Sequence, residues 1–208
     1  MPNIYTTSAK VAEALPDSNY VGSQYGIITD LIGTASRQID FEVGREPGFF
    51  YPTTDEVTRY YNGSGYAEQE IDEFVSITAV SVAEEGGTSS TDYTAWAATD
   101  YIIYPYNYSS QGKPITKLII DTNGTKAAWY SYLKSVKITG IAGYSLAVPS
   151  PIETACRIQV ARWFMRAKGG WQDVSGNDDF GRLRFRGMSE LDGDIKLLLH
   201  PYKLELDR

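Results

Sequence analysis

Residues 136–170, VKITGIAGYSLAVPSPIETACRIQVARWFMRAKGG, contain the change of pattern that decides the fold. At its start Val136 and Ile138 alternate with polar residues, which is the two-residue period of a strand. After a Pro-Ser-Pro triplet, apolar residues recur every three or four positions, as on one face of a helix. We therefore predict a strand followed by a helix that has Ser150 as its N-cap and stops at Gly169.

The hundred or so residues before this helix carry strand and turn signals. Stretches rich in β-branched and aromatic side chains are separated by glycine turns such as Gly86-Gly87 and Asn123-Gly124. We expect an antiparallel β domain over residues 49–148. Many of the sixteen tyrosines fall in it, which suits a half-buried sheet face best and a surface that stacks on sugars or on a protein as the alternative.

Helical patterns flank this region on both sides. Thr7 caps a short helix, residues 24–43 form a long amphipathic one, and a leucine-rich helix covers residues 189–200. The order predicts an α+β chain in which residues 1–48 and 149–208 form one helical bundle, with the antiparallel β domain inserted between them. The predicted bundle core consists of Ile28, Leu31, Ile32, Ile39, Ile152, Cys156, Val160, Trp163 and Phe164.

The composition argues against most enzyme chemistry. The chain of 208 residues has one cysteine and one histidine, which leaves no intrachain disulfide and no Cys/His zinc site. Cys156 lies on an apolar helix face, and His200 precedes a proline, where it suits a helix cap better than a general base. Acidic pairs such as Glu84-Glu85 would serve a glycosidase, but they arise by chance at this charge content. We predict no catalytic residue, metal or cofactor.

Mean hydropathy is −0.30 and no apolar run is long enough to span a bilayer, so we expect no membrane segment. The first residues enter a polar stretch without a basic and then apolar leader, which predicts assembly in the cytoplasm.

Charge is distributed unevenly along the chain. The net charge is −7, yet residues 1–100 hold four basic and sixteen acidic side chains while residues 101–208 hold fifteen basic and ten acidic ones. Surface charge need not be even, so this can be a solvated surface. It can also be a subunit whose acidic face meets the basic face of a neighbour. The overall acidity argues against a nucleic-acid coat.

Residues 182–186, RLRFR, form the basic arm, in which arginines alternate with apolar residues. Such a segment can contact phosphates, form a solvated edge, or add a strand to a partner. We favour strand addition. The side chains of the predicted partner interface are those of Arg182, Leu183, Arg184, Phe185 and Arg186.

Four segments in their order along the chain resemble the head-to-tail connector (adaptor) proteins of tailed phages, the small DNA-packaging-type proteins of the phage neck. These segments are IITDLIGTASRQIDFEVGRE at 27–46, RYYNGSGYAEQEIDEFVSITAVSV at 59–82, residues 136–170, and IKLLLHPYKLE at 195–205. The resemblance covers most of the chain, and its weight lies in the order and spacing of the segments.

The resemblance implies a structural virion protein of the neck that is assembled in the host cytoplasm. It implies a homo-oligomeric ring of about twelve copies that lies beneath the portal protein, continues the DNA channel and meets a tail or stopper protein. It also implies a terminal arm that engages the portal, which here falls on the basic arm and the last helix. The resemblance brings no catalytic residues and no cofactor.

A channel that passes DNA without specific binding should repel phosphates. We therefore predict that the acids of the long second helix, Asp30, Asp40 and Glu42, lie nearer the channel than the arginines. The alternative function is a carbohydrate- or receptor-binding β module of a phage tail, with the tyrosine-rich sheet as its binding surface.

Overall fold

The chain contains both helices and an antiparallel sheet, which confirms the α+β prediction. The computed structural model describes residues 3–15, 23–87, 89, 92–168, 174–175, 183–184 and 191–204. The chain divides into two compact units. The helical unit comprises residues 1–51 and 148–208, and the β unit comprises residues 52–147. That the helices form a bundle remains a prediction.

The described residues include five α-helices and eight strands. The helices are α1 Ser8–Glu13, α2 Ser23–Val43, α3 Tyr108–Gln111, α4 Ser150–Lys168 and α5 Gly193–Leu199. The strands are β1 Val57–Tyr61, β2 Glu68–Val82, β3 Thr94–Ala95, β4 Tyr101–Tyr104, β5 Ile115–Ile120, β6 Val136–Ala142, β7 Val174–Ser175 and β8 Leu183–Arg184. A 3₁₀ helix, His200–Tyr202, follows α5.

The helical unit is built around α4, which packs against α1, α2 and α5. Its buried apolar side chains recur at helical spacing, and each stabilises the fold by about 1.5–3 kcal/mol relative to exposure. They include Ile28, Ile32 and Ile39 of α2, Ile152, Cys156, Val160, Trp163 and Phe164 of α4, and Ile195 and Leu199 of α5. Leu31 is half-buried, at the margin of this core.

Two helix boundaries differ from those predicted. Helix α4 includes Ser150 as its first residue rather than as its cap. Helix α5 begins at Gly193, and Pro201 does not end the helical path, because it lies near the start of the 3₁₀ helix, where a missing N–H costs no hydrogen bond. The residues before 191 in the predicted last helix lie outside the described part of the chain.

The β unit is an antiparallel sheet with the strand order β1-β6-β2-β5-β4, and β3 pairs with β2 beside β5. The central strand β2 is fifteen residues long and pairs with β6, β5 and β3. One face of the sheet buries an apolar cluster. Trp96 and Trp129 stack in it with their ring centroids 4.6 Å apart, and the Trp129 indole N–H donates to the carbonyl of Ala67 at 3.2 Å.

Replacing glycine by alanine at two positions should have opposite effects on the free energy of unfolding. A Cβ at Gly140 of β6 would lie 2.2 Å from the carbonyl oxygen of Ser76 on the paired strand, whereas a Cβ at Gly33 of α2 would meet no atom within 4 Å. We expect Gly140→Ala to lower the free energy of unfolding by about 2 kcal/mol through overpacking. We expect Gly33→Ala to raise it by about 0.5–1 kcal/mol through helix propensity. Urea denaturation measures both, and a stabilising Gly140→Ala would contradict the strand pairing.

Candidate interaction surfaces

The basic arm is described at two of its five residues. Leu183 and Arg184 form β8, which pairs antiparallel with β7 so that Val174 lies opposite Arg184 and Ser175 opposite Leu183. Arg182, Phe185 and Arg186 lie outside the described residues. The strand conformation suits strand addition, but the contact of this arm with a partner remains a prediction.

The three acids predicted to face a channel lie in different environments. Asp30 is exposed on α2. Glu42 is half-buried and accepts a hydrogen bond from Nζ of Lys203 at 2.9 Å, so part of its charge is compensated. Asp40 is buried, and its carboxylate is therefore not available to a channel. The prediction for Asp40 is wrong.

The Asp40 carboxylate is surrounded by donors. The hydroxyl of Tyr5 donates to Oδ1, the backbone N–H of Gly48 donates to Oδ2 at 2.9 Å, and Nη2 of Arg37 lies 3.0 Å from Oδ2. Burial raises the pKa of Asp40 above its usual value, while these donors and the arginine charge oppose that shift. Burial and the neighbouring carboxylate raise the pKa of Tyr5 as well. The phenol therefore stays protonated and remains a donor.

The contacts around Asp40 join the N-terminal segment to α2 and to the turn that follows it. The backbone N–H of Tyr5 donates to Oγ of Ser36 at 3.2 Å, and the N–H of Phe50 donates to the Tyr5 hydroxyl at 3.3 Å. The Phe50 ring meets the Tyr5 ring edge-on at 5.8 Å and the Tyr202 ring at 5.7 Å. We call Tyr5, Arg37, Asp40, Gly48 and Phe50 the Asp40 cluster.

The spacing of α2 contains a signal for this cluster. Ser36, Asp40 and Val43 lie at i, i+4 and i+7 and are all buried, so Asp40 belongs to the apolar stripe of the helix. The next residue, Phe41, is 87% exposed, an aromatic side chain outside that stripe. Helical periodicity assigns Phe41 to the solvent face, so the sequence predicts only surface contacts for its side chain.

Two tyrosine pairs on the β unit are each accompanied by lysines. The rings of Tyr60 and Tyr93 lie 5.8 Å apart, with Nζ of Lys134 5.2 Å from the Tyr60 ring and Nζ of Lys137 5.6 Å from the Tyr93 ring. These distances fit cation–π contacts. The pair therefore forms an aromatic and cationic surface on a unit that is otherwise acidic, with six basic and eleven acidic residues.

The second pair lies at the other end of the strand order. The rings of Tyr104 and Tyr106 meet edge-on at 5.4 Å, and Nζ of Lys117 lies 5.9 Å from the Tyr104 ring. Lys117 also donates to Glu68 at 2.7 Å. Sugar binding needs an open ring face, and Lys117 occupies one face of Tyr104. Aromatic side chains beside charged ones are also typical of protein interfaces.

The helical unit exposes apolar side chains that its own core does not use. Leu197 of α5 is 75% exposed, and Met165 of α4 and Ile27 of α2 are also exposed. Together with Phe41 they lie on three different helices. Single exposed apolar residues are normal, but large ones on several elements suit a chain that packs against partners.

Cys156 and His200, the side chains considered for catalysis, lie in structural positions. Cys156 is fully buried, with Sγ 3.7 Å from Oγ of Ser36, and burial raises its pKa to about 12, so the thiolate needed of a nucleophile does not form near neutral pH. His200 is the C-cap of α5. Among the described residues no three His, Cys, Asp or Glu side chains come together as a metal site, and no helix is long and apolar enough to cross a membrane.

Comparison with known proteins finds similar structures but no similar sequence. No family model and no curated protein matches the chain. A chain from the neck of the empty gene transfer agent particle, computed with C6 symmetry, matches with 12% identity and a TM-score of 0.52, covering 94% of this chain and 88% of its own. A chain from the virion of the native gene transfer agent particle gives the same values. At this identity the likeness shows a shared fold.

The Asp40 cluster predicts the cost of removing its acid. We expect Asp40→Ala to lower the free energy of unfolding by about 3 kcal/mol, because it leaves the Tyr5 hydroxyl and the Gly48 N–H without their acceptor and removes the ion-pair partner of Arg37. The control is Glu42→Ala, which removes a more exposed pair and should cost less than about 1 kcal/mol. Urea unfolding followed by helical circular dichroism measures both. Equal losses would contradict the assigned role of Asp40.

Proposed function

We propose that this chain is a structural subunit of a virion neck, a head-to-tail adaptor that forms a ring beneath the portal and continues the DNA channel to the tail. The observation that carries the proposal is the fold shared over 94% of the chain with a chain from the neck of a gene transfer agent particle. The resemblance of four sequence segments to phage adaptors is consistent with this function.

The surfaces of the chain also support a structural role. Cys156 and His200 have structural positions, whereas exposed apolar side chains occur on both units. A ring of identical subunits needs two different patches on each copy that fit one another. Unevenly placed charge and separate aromatic surfaces provide patches of different chemistry.

The proposed portal contact is the basic arm. Its strand conformation at Leu183 and Arg184 suits the addition of a strand to an open sheet edge of the portal, with the alternating side chains giving specificity. The last helix is the weaker candidate for the portal contact, because Leu191, Ile195 and Leu199 are buried within the helical unit.

The proposed channel lining rests mainly on Asp30, the exposed acid of α2, whereas Glu42 lies about 18 Å further along the helix and is partly compensated by Lys203. Carboxylates at this surface would repel the phosphates of a passing duplex, so DNA would move through the ring without specific binding.

Co-sedimentation with the purified portal ring tests the proposed function. We expect the wild-type chain to bind the portal, and electron microscopy of the faster species to show an added ring. Deleting the C-terminal region would remove the buried side of α5, so we choose Arg182→Glu with Arg186→Glu instead. Reversing two charges of the arm should weaken portal binding at least about tenfold, since charged contacts steer and hold such interfaces.

The matched control is Lys113→Glu with Lys168→Glu, which changes the net charge equally at two exposed positions outside the arm and the last helix. We expect this variant to bind the portal as the wild type does. Failure of the wild-type chain to bind the portal would contradict the adaptor function and favour a tail-end or receptor-binding role. Equal weakening in both double variants would refute the arm as the contact.

A further inference from the structure

Strand β4 forms one edge of the sheet, and the direction of its backbone groups follows from its neighbours. The N–H of Ile120 donates to the carbonyl of Ala67 at 2.8 Å, so Ile120 of β5 points its backbone toward β2. Tyr101 pairs with Ile120. In an antiparallel ladder, two opposite residues direct their backbone N–H and C=O groups either both toward each other or both away from each other. The backbone N–H and C=O of Tyr101, and by alternation of Ile103, therefore point away from the sheet.

Strand β1 forms the opposite edge, and the same reasoning applies. The carbonyl of Ser135 accepts from the N–H of Ala83 at 2.8 Å, so Ser135 and, two residues later, Lys137 of β6 point their backbone groups toward β2. Tyr60 pairs with Lys137 and Thr58 with Thr139. The backbone groups of Thr58 and Tyr60 therefore point outward.

Both edges are open, although each strand is short, with four residues in β4 and five in β1. In the described part of the chain, no hydrogen bond involves the outward backbone groups of these four residues. Neither edge contains a proline or a break in register. Apolar side chains are exposed along them, with Ile102 of β4 at 38% and Tyr60 of β1 at 48%. The outward backbone groups of an open edge can pair with a further strand.

The strand order indicates that the two edges suit one another. Because all neighbours are antiparallel, β1, β2 and β4 run in one direction and β5 and β6 in the other. In copies related by a rotation axis that runs along the strands, β4 of one copy and β1 of the next would meet in the same direction. Such a contact joins two different surfaces, which is the heterologous geometry that closes into rings.

The starts of the two edge strands carry different charged groups. Asp55 and Glu56 directly precede β1 and are exposed. At the start of β4, Asp100 is buried and its pKa is lowered mainly by the hydrogen bond from the Thr125 N–H, and Lys126 lies beside it with its Nζ 5.6 Å from the Trp96 ring. With both strands running in the same direction, the acidic pair of one copy would meet Lys126 of the next.

We propose that β4 of one copy pairs in parallel with β1 of a second copy, so that the sheets of neighbouring subunits join through backbone hydrogen bonds. This inference rests on the proposed ring. The bonding groups are those of Tyr101 and Ile103 on one copy and Thr58 and Tyr60 on the next, and the acidic pair before β1 sets the direction.

Proline substitution tests the β1 edge while leaving its internal ladder intact. Thr58→Pro with Tyr60→Pro removes two outward N–H groups, and the matched control Thr58→Ala with Tyr60→Ala changes the same side chains but keeps both N–H groups. We expect the wild type to self-associate with concentration in sedimentation velocity. The proline variant should raise the dissociation constant at least about tenfold over the alanine control.

A second variant, Ile102→Lys, blocks the β4 edge with a charge at an exposed position, with Ile102→Thr as its uncharged control. Each blocked variant should stay monomeric alone. Mixed together, they should form dimers and nothing larger, since each retains the edge that the other lacks. Circular dichroism verifies that each variant is folded.

Monomeric wild-type chain at every concentration, or a folded Ile102→Lys chain that assembles as its control does, would overturn the inference. The portal experiment reports separately on the proposed function. Edge-blocked chains that bind the portal through the basic arm without associating with one another would support both.

Discussion

The helical unit depends on one buried carboxylate. Asp40 holds the Tyr5 hydroxyl, the Gly48 N–H and the Arg37 guanidinium at one place, which joins the N-terminal segment, the end of α2 and the turn after it. Burying a charge is costly unless its hydrogen-bonding capacity is met, so these segments are fixed relative to one another. Phe50 packs against Tyr5 and Tyr202, which brings the C-terminal 3₁₀ helix to the same cluster at the point where the chain leaves the helical unit.

The β unit has a different design. Its core is closed around Trp96 and Trp129, while its two edge strands leave backbone groups directed outward. A stable core leaves such edges free to pair with another strand without refolding. The helical unit exposes apolar side chains such as those of Phe41 and Leu197. A core that is separate from these exposed groups suits the proposed ring subunit.

Local patterns predicted the helices and the strand-rich region well, because periodicity and capping act over a few residues. The buried stripe of α2 includes Asp40, but periodicity alone does not predict that an acid there is buried, because its donors at Tyr5 and Gly48 lie far from one another along the chain. The edges could not be predicted either. Strand β1 pairs with β6, about eighty residues later, and strand order follows from such long-range pairing rather than from local sequence. The alternation of arginines with apolar residues predicts the basic arm, but the local sequence does not indicate which partner the arm binds.

The most direct test of the proposed function is a cryo-electron microscopy map of a particle that contains this chain. The account predicts a closed ring of this chain between portal and tail, with the basic arm against the portal and β4 of each copy beside β1 of the next. A map that places the chain elsewhere in the particle, or as separate copies that do not contact one another around the axis, would contradict it.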